Sequence, residues 1–227
     1  PADGTVGLVH MTNDYGAGLA DSFTADFTAD GSTLCATVGY DQSQTDFSGA
    51  VQGMIDNGCT SAVLISYAAD GAMILDEMAT QMWTGQVYGG DGIAEEGLAV
   101  DASSSVDGVI ATKPSSGSMG TVGYVFAGLC AQSADCAGGI YTAEAFDGVV
   151  LMALSAFAQM ASPSATLSQV IMATGQGLEG ASGTISFLAN GDVPGAGYCV
   201  GDFTEDSGTG DVAFTCNRNW DVVNGLV

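Results

Sequence analysis

Basic residues are nearly absent. The 227-residue sequence holds 26 Asp and Glu against 2 cations, Lys113 and Arg218, for a net charge of −24. A field of that sign repels phosphate backbones, which excludes nucleic-acid binding as a primary function. It also disfavours attachment to an anionic membrane surface. Charged residues make up only 12% of the chain, so the peculiarity is missing Lys and Arg rather than surplus acid. Salt bridges must be scarce, and bound cations such as calcium are one way to relieve the repulsion. There is one histidine, His10, and no CxxC pair, which argues against a zinc site. His10 falls inside an apolar run and reads as a hydrogen-bonded core residue rather than a catalytic base. The absence of GxSxG, of a Walker loop and of a histidine beside any nucleophile argues against an enzyme. The longest apolar run, Gly148 to Ala158, is too short to cross a bilayer. No secretory signal is visible, and a cleaved one leaves no trace.

What is present is apolar and regular. Hydrophobic residues are 47% of the chain, enough to build a core despite the charge. The length fits one large or two small domains. A buried strand, Thr5 to Met11, is followed by a helix capped at Asn13-Asp14 and running from Tyr15 to Asp30, with Leu19, Ala20, Phe23 and Phe27 inward. Strands at Thr33–Tyr40, Ser61–Tyr67, Gln86–Gly90 and Asp107–Thr112 alternate with helices at Asp46–Asn57 and Ala69–Met82. That alternation predicts an α/β fold: a parallel sheet with helices on both faces, its ligand site beyond the carboxyl ends of the strands. After Pro114 the pattern becomes helical, near Thr121–Leu129, Thr142–Met160 and Ala165–Met172, and closes in β-rich segments, Gly183–Phe187 and a hairpin.

The six cysteines suit three disulfides and an oxidising, extracytoplasmic compartment. Cys199 and Cys216 flank the turn signal Glu205 to Gly210, and a hairpin centred there sets them opposite each other. Cys130 and Cys136 enclose a short loop. Cys35 and Cys59 stand near the starts of two successive strands, expected to be neighbours. The predicted pairs are therefore Cys35–Cys59, Cys130–Cys136 and Cys199–Cys216.

Five segments resemble one family. Asp14-Tyr15-Gly16-x-Gly18 is similar to its DYGxG segment, and Tyr40-Asp41 with Asp46-Phe47 to its Y…DF segment. Asp107 to Pro114 is similar to its GV…P strand, and Phe146 to Leu151 to its YDAV helix. Glu179 to Phe187 with Asn190-Gly191-Asp192 is similar to its ending, EGasG…F…nGd. The sequence thus resembles the substrate-binding proteins of branched-chain amino acid ABC transporters, which have the type I periplasmic-binding-protein fold. The resemblance begins where that family's second lobe begins, and the first lobe, which supplies the ligand-carboxylate contacts, has no counterpart. It implies an α/β ligand-binding lobe over 1–118 and a helical segment over 119–180 that packs on the first lobe. It implies further that 181–227 is a C-terminal β segment returning to the α/β lobe.

By the same resemblance Tyr15 and Tyr67 are ligand-covering aromatics, Asp91 in Gly-Gly-Asp-Gly accepts a ligand ammonium, and Tyr141 is a looser hydrophobic contact. Each has a plainer reading: a helix-start or strand-end tyrosine packed on the sheet, and a turn aspartate beside glycine. Asp21, Asp26 and Asp30 read as a solvated helix face, and Asp202, Glu205, Asp206 and Asp211 as an acidic turn without the regular spacing of a calcium loop. The function implied is extracytoplasmic binding of an amino acid or related polar molecule for delivery to an ABC permease, without cofactor or metal. The rival is a structural subunit that self-assembles, covering an apolar face of the Phe146 helix that includes Val150, Leu151 and Leu154.

Overall fold

The computed structural model describes residues 5–29, 31–115, 120–133, 136, 141–195, 197–221 and 223–226. Asp30 and the expected boundary at residue 118 lie outside them. The chain divides into two compact units. One comprises Pro1–Lys113, Tyr198–Trp220 and Asn224–Val227, the other Pro114–Gly197 and Asp221–Val223.

The first unit is a βα alternation. Its elements are β1 (Val6–Met11), α1 (Asp14–Thr28), β2 (Leu34–Tyr40), α2 (Ser48–Asp56), β3 (Ser61–Ile65), α3 (Ala68–Thr80), β4 (Gln86–Gly89), α4 (Glu96–Ala102) and β5 (Ile110–Pro114). Asn13 caps α1, its side chain accepting from Gly16 N–H. The sequence pattern had not disclosed α4, a 7-residue helix too short for its periodicity to show. The hairpin β8 (Tyr198–Glu205) and β9 (Val212–Asp221), with β10 (Gly225–Leu226), extends the sheet to eight strands in the order β10-β9-β8-β5-β4-β3-β1-β2. β1 to β5 pair in parallel and β8 with β9 antiparallel.

Alternate strand residues serve two cores. Val9, Met11, Ala62, Leu64, Val87 and Ala111 face α2, α3 and α4, together with Phe47, Val51, Met54, Ile74 and Met78. Leu8 and Ile65 face the other way, against Ala20 and the half-buried Tyr15, Phe23 and Val63. Leu19, expected inward, is instead 40% exposed: the inward stripe of α1 is carried by Gly16 and Ala20, which let the helix lie close to the sheet.

All three predicted disulfides form, two by a different geometry from that expected. β2 and β3 are not neighbours, because β1 lies between them. The Cys35–Cys59 bridge, with Cα atoms 5.7 Å apart, forms beside the start of β1, where a Cβ on Gly7 would lie 3.3 Å from Cys59 Sγ and 2.9 Å from Met54 Sδ. A glycine there leaves the room the bridge needs. In the hairpin, Cys199 stands opposite Asn219 and Cys216 opposite Gly201, with a bulge between Val200 and Gly201. The bridge is therefore diagonal rather than directly cross-strand.

In the second unit, α5 (Thr121–Cys130), α6 (Thr142–Ala161) and α7 (Leu167–Gly175) accompany a two-stranded sheet of β6 (Leu178–Glu179) and β7 (Thr184–Ile185). Phe126 of α5 packs on Phe146 of α6 at 5.0 Å between ring centroids. The loop after β6 is held by Asp147, buried in α6, which accepts from Ala181 N–H (2.6 Å), Ser182 N–H (2.8 Å) and Ser182 Oγ–H (2.6 Å). A Cβ at Gly180 would come 2.3 Å from that carboxylate, so only glycine lets the loop close. Leu151 is buried, not part of an open face; the exposed apolar stripe of α6 runs instead through Val149, Met152, Leu154, Phe157 and Met160. As a complete element α6 has 20 residues and is long and apolar enough, by length and composition alone, to cross a membrane. The run of side chains considered by itself had understated it.

Candidate functional site

Three of the four sequence-derived residues meet at the carboxyl ends of neighbouring strands. Tyr15 stands in the first turn of α1, following β1. Tyr67 is the N-cap residue of α3, following β3. Asp91 opens the 3-10 turn Asp91–Ile93, following β4. Parallel strands that start in register deliver their following loops to one edge, which is why residues 76 positions apart come into contact. The Tyr15 and Tyr67 rings stack with centroids 5.2 Å apart and planes 13° from parallel. Tyr15 O–H donates to Asp91 Oδ1 at 2.8 Å, and Gly92 N–H donates back to the Tyr15 oxygen at 3.2 Å. Tyr67 keeps 39% of its surface exposed, so the stack presents an aromatic face beside a carboxylate.

Gly92, expected at this strand end beside Asp91, has a packing role that the sequence reading did not assign to it. A Cβ there would meet Ser66 O at 2.4 Å, Tyr15 Oη at 2.8 Å and Tyr67 Cδ1 at 3.3 Å. Its lack of a side chain lets the turn press against both aromatics. The signal in the sequence was the Gly-Gly-Asp-Gly run itself, which marks close backbone approach as well as a turn.

Behind this edge, on the α2–α3 side, lies a second polar pair. Tyr40 ends β2 and its hydroxyl donates to Asp70 Oδ2 at 3.4 Å, both residues being buried. Burial pushes the Tyr40 hydroxyl far above its usual range, an effect the nearby Ser66 side chain opposes and the Asp70 charge reinforces. Burial also raises the Asp70 carboxyl above the usual carboxylate value, and the Tyr40 hydrogen bond offsets part of the rise. Nothing in the spacing around Asp70 distinguished it from a first-turn helix acid.

Tyr141 lies in the second unit, at the N-cap of α6, and is 41% exposed. His10 Nδ1 lies 2.8 Å from the Met11 carbonyl oxygen. In the hairpin, Asp206 accepts from Gly208 and Thr209 N–H, which lowers its pKa and marks it as a turn residue. Among the described residues no group of three or more His, Cys, Asp or Glu is placed to hold a metal ion. A cavity of about 420 Å³ at the amino ends of β4 and β5, lined by Trp83 and Asp107 among others, opens at the opposite end of the sheet from the tyrosine pair.

No protein-family model matches the sequence, and no curated protein matches it. Solved structures do. A leucine-binding protein from Thermotoga maritima is 20% identical with a TM-score of 0.75, covering 93% of this chain and 59% of its own. A branched-chain amino acid transporter substrate-binding protein from Streptococcus pneumoniae, in complex with isoleucine, is 17% identical with a TM-score of 0.69, covering 93% and 60%. An ABC transporter solute-binding protein from Rhodopseudomonas palustris, in complex with 4-hydroxybenzoate, is 14% identical with a TM-score of 0.74, covering 95% and 60%. The chain has the α/β fold of the type I periplasmic binding proteins, and it spans about 60% of the length of those it matches.

Proposed function

We propose that this chain is the lobe of an extracytoplasmic solute-binding protein that recognises an amine-bearing small molecule, an amino acid or a close relative, for an ABC permease. The observation that carries the reading is the Tyr15–Tyr67 stack with Asp91 at its edge, at the strand ends where this class of sheet binds ligands. The stack offers a flat apolar face to a ligand side chain, and the carboxylate offers a charge-assisted bond to an ammonium. Of the two ligand chemistries named for the neighbours, Asp91 favours the amino acid. A benzoate is an anion and gains nothing from a carboxylate partner. Three disulfides support an extracytoplasmic location. Among the described residues no nucleophile–base pair stands at the tyrosine edge, and binding without chemistry is the expected activity.

The test is calorimetric titration of the natural full-length protein with amino acids, amides and aromatic acids. An amine-bearing ligand should bind, and Asp91→Asn should weaken it at least about tenfold. Tyr67→Ala should weaken the same ligand without unfolding the protein. Binding of an anionic aromatic acid that is indifferent to both changes would overturn the reading. The rival, a structural subunit, rests on the exposed apolar stripe of α6. Large assemblies of the 227-residue chain alone would favour it, whereas a natural monomer of greater mass would favour the binder.

A further inference from the structure

The cavity of about 420 Å³ at the amino ends of β4 and β5 has no part in the ligand reading. Its walls include Leu75, Met78 and Ala79 of α3, Trp83 before β4, and Ser105 and Asp107 before β5. Its volume is within the range of small-molecule sites, about 300–1,000 Å³. Trp83 supplies the aromatic wall and is fixed at two points. Its Nε1–H donates to the Cys59 carbonyl at 3.0 Å. Its six-membered ring lies over Gly85, where a Cβ would clash with Cζ2 and Cη2, so only glycine lets the ring lie there. Trp83 also lines a second cavity of about 320 Å³, beside Ile55, Thr60 and Gln81. The indole is thus a partition between two spaces rather than a side chain packed on all sides.

The hydrogen-bonding groups of the larger cavity select the charge of its ligand. Among the described side chains that line it, the donors are largely committed. Gln86 Nε2–H donates to the Val87 carbonyl at 3.0 Å and the Gly108 carbonyl at 2.8 Å. Ser105 Oγ–H lies 2.6 Å from both Asp76 Oδ1 and the Ala102 carbonyl oxygen. The Thr84 hydroxyl can accept as well as donate. What the lining offers is an indole face and the Asp107 carboxylate, with Asp76 behind Ser105. Asp107 Oδ1 accepts from Glu205 N–H at 3.2 Å, which holds the carboxylate at the rim. Neither Lys113 nor Arg218 lines the cavity. An anion would meet repulsion there, and a neutral ligand would gain only an ordinary hydrogen bond from Asp107. A calcium-like ion takes about six to eight oxygens, more than this lining provides. We propose that this cavity binds a small organic cation, an alkylated ammonium of the choline class, with its methyl groups against the Trp83 indole and Asp107 as its counter-charge. The field of net −24 raises the local concentration of such a cation. The site shares no residue with the tyrosine edge, so it stands or falls independently of the ligand reading.

Choline chloride is the probe, and dimethylbutanol, its uncharged carbon isostere, is the control. Both are titrated against Trp83 fluorescence in the full chain carrying Trp220→Phe, which leaves Trp83 as the single tryptophan. Sodium chloride at about 0.15 M screens diffuse attraction. Choline should give a saturable change, at least about fivefold tighter than dimethylbutanol. Asp107→Asn should weaken it by about fivefold or more without lowering the melting temperature, because the amide oxygen still accepts from Glu205 N–H. Ala79→Leu, at an exposed position on the cavity wall, fills the space and should abolish the change in a protein that melts no lower. Asp91→Asn and Tyr67→Ala should leave the change unaltered. Equal binding of dimethylbutanol, a response that never saturates, or indifference to Asp107→Asn would overturn the proposal. Loss of the choline response in Asp91→Asn would give the cation to the tyrosine edge and overturn it equally.

Discussion

Asp147 and Gly92 show how much of this structure depends on single groups. Asp147 is a buried carboxylate held, among the described residues, by neutral donors, two backbone N–H groups and one hydroxyl. Asp147→Ala would leave the Ala181 and Ser182 amides without their acceptor. The expected loss is about 3–5 kcal/mol in urea unfolding, against about 1 kcal/mol for Ser182→Ala. At Gly92 the effect is steric. Gly92→Ala forces the turn away from Ser66 O and Tyr15, and is expected to lose about 1–3 kcal/mol together with the Tyr15–Asp91 hydrogen bond. A shift of the Tyr15 hydroxyl resonance would report the second effect separately. Asp70 sets a pH dependence. Burial holds its folded pKa above the ordinary carboxylate value, so the folded state binds the proton more tightly than the unfolded chain. That stabilisation is complete below about pH 3.9 and is lost as pH rises through the raised value. Asp70→Asn should therefore flatten melting temperature against pH from about 4 upward. Asp41, Asp46 and Asp206 are fully exposed and shifted down, so their contribution has the opposite sense, present above that range and lost as pH falls.

At the scale of elements, the bridges stand in for ion pairs that the chain cannot make. The Cys35–Cys59 loop closes over 24 residues and ties β2 to the segment entering β3 beside the intervening β1. Replacing both cysteines with serine should lower stability by about 2–4 kcal/mol, read in denaturant. Gly7→Val should lower it as well, by crowding Met54 and Cys59, even though valine suits a buried parallel strand. Non-reducing peptide mapping with an acid-specific protease should recover all three links. Trypsin has only Lys113 and Arg218 to cut, and Pro114 follows the former. Free thiols throughout would remove both the pairing and the case for an oxidising compartment.

For the molecule as a whole, charge opposes compaction in addition to chain entropy. A net −24 with two cations leaves the repulsion among carboxylates almost unopposed. Added salt screens it, so melting temperature should rise with sodium chloride between about 0.01 and 0.5 M, and level off as the Debye length falls below the spacing of surface carboxylates. A melting temperature that falls over that range would show that attractive pairs dominate instead. The two units should respond differently to truncation. The first buries a large core on the α2–α3 side of its sheet and a small one, Leu8, Ala20 and Ile65, on the α1 side, whereas the second leaves most of α6 open.

Composition and periodicity alone determined the class of fold, and the net charge determined which classes of partner the chain repels. Strands β1 to β5 and helices α1 to α3 were legible because the strands are short β-rich runs and the helices carry a period near 3.6, with Gly31 and Gly58 closing α1 and α2. The cysteine partners were legible because chain separation limits which thiols meet. The tertiary structure alone decided which strand lies between which. β1 separates β2 from β3, and the hairpin register, set by a turn centred past the midpoint of the two cysteines together with a one-residue bulge, places Cys199 opposite Asn219 rather than Cys216; neither leaves a mark on local pattern. Pairing order is a property of non-local contacts, and the sequence encodes those only through the summed fit of distant surfaces. The site divides the same way. Tyr15, Tyr67 and Asp91 were nameable one at a time, but their meeting depends on three parallel strands ending at one edge. The contacts of Gly92, and Asp70 altogether, became visible only when burial and distance replaced sequence neighbours.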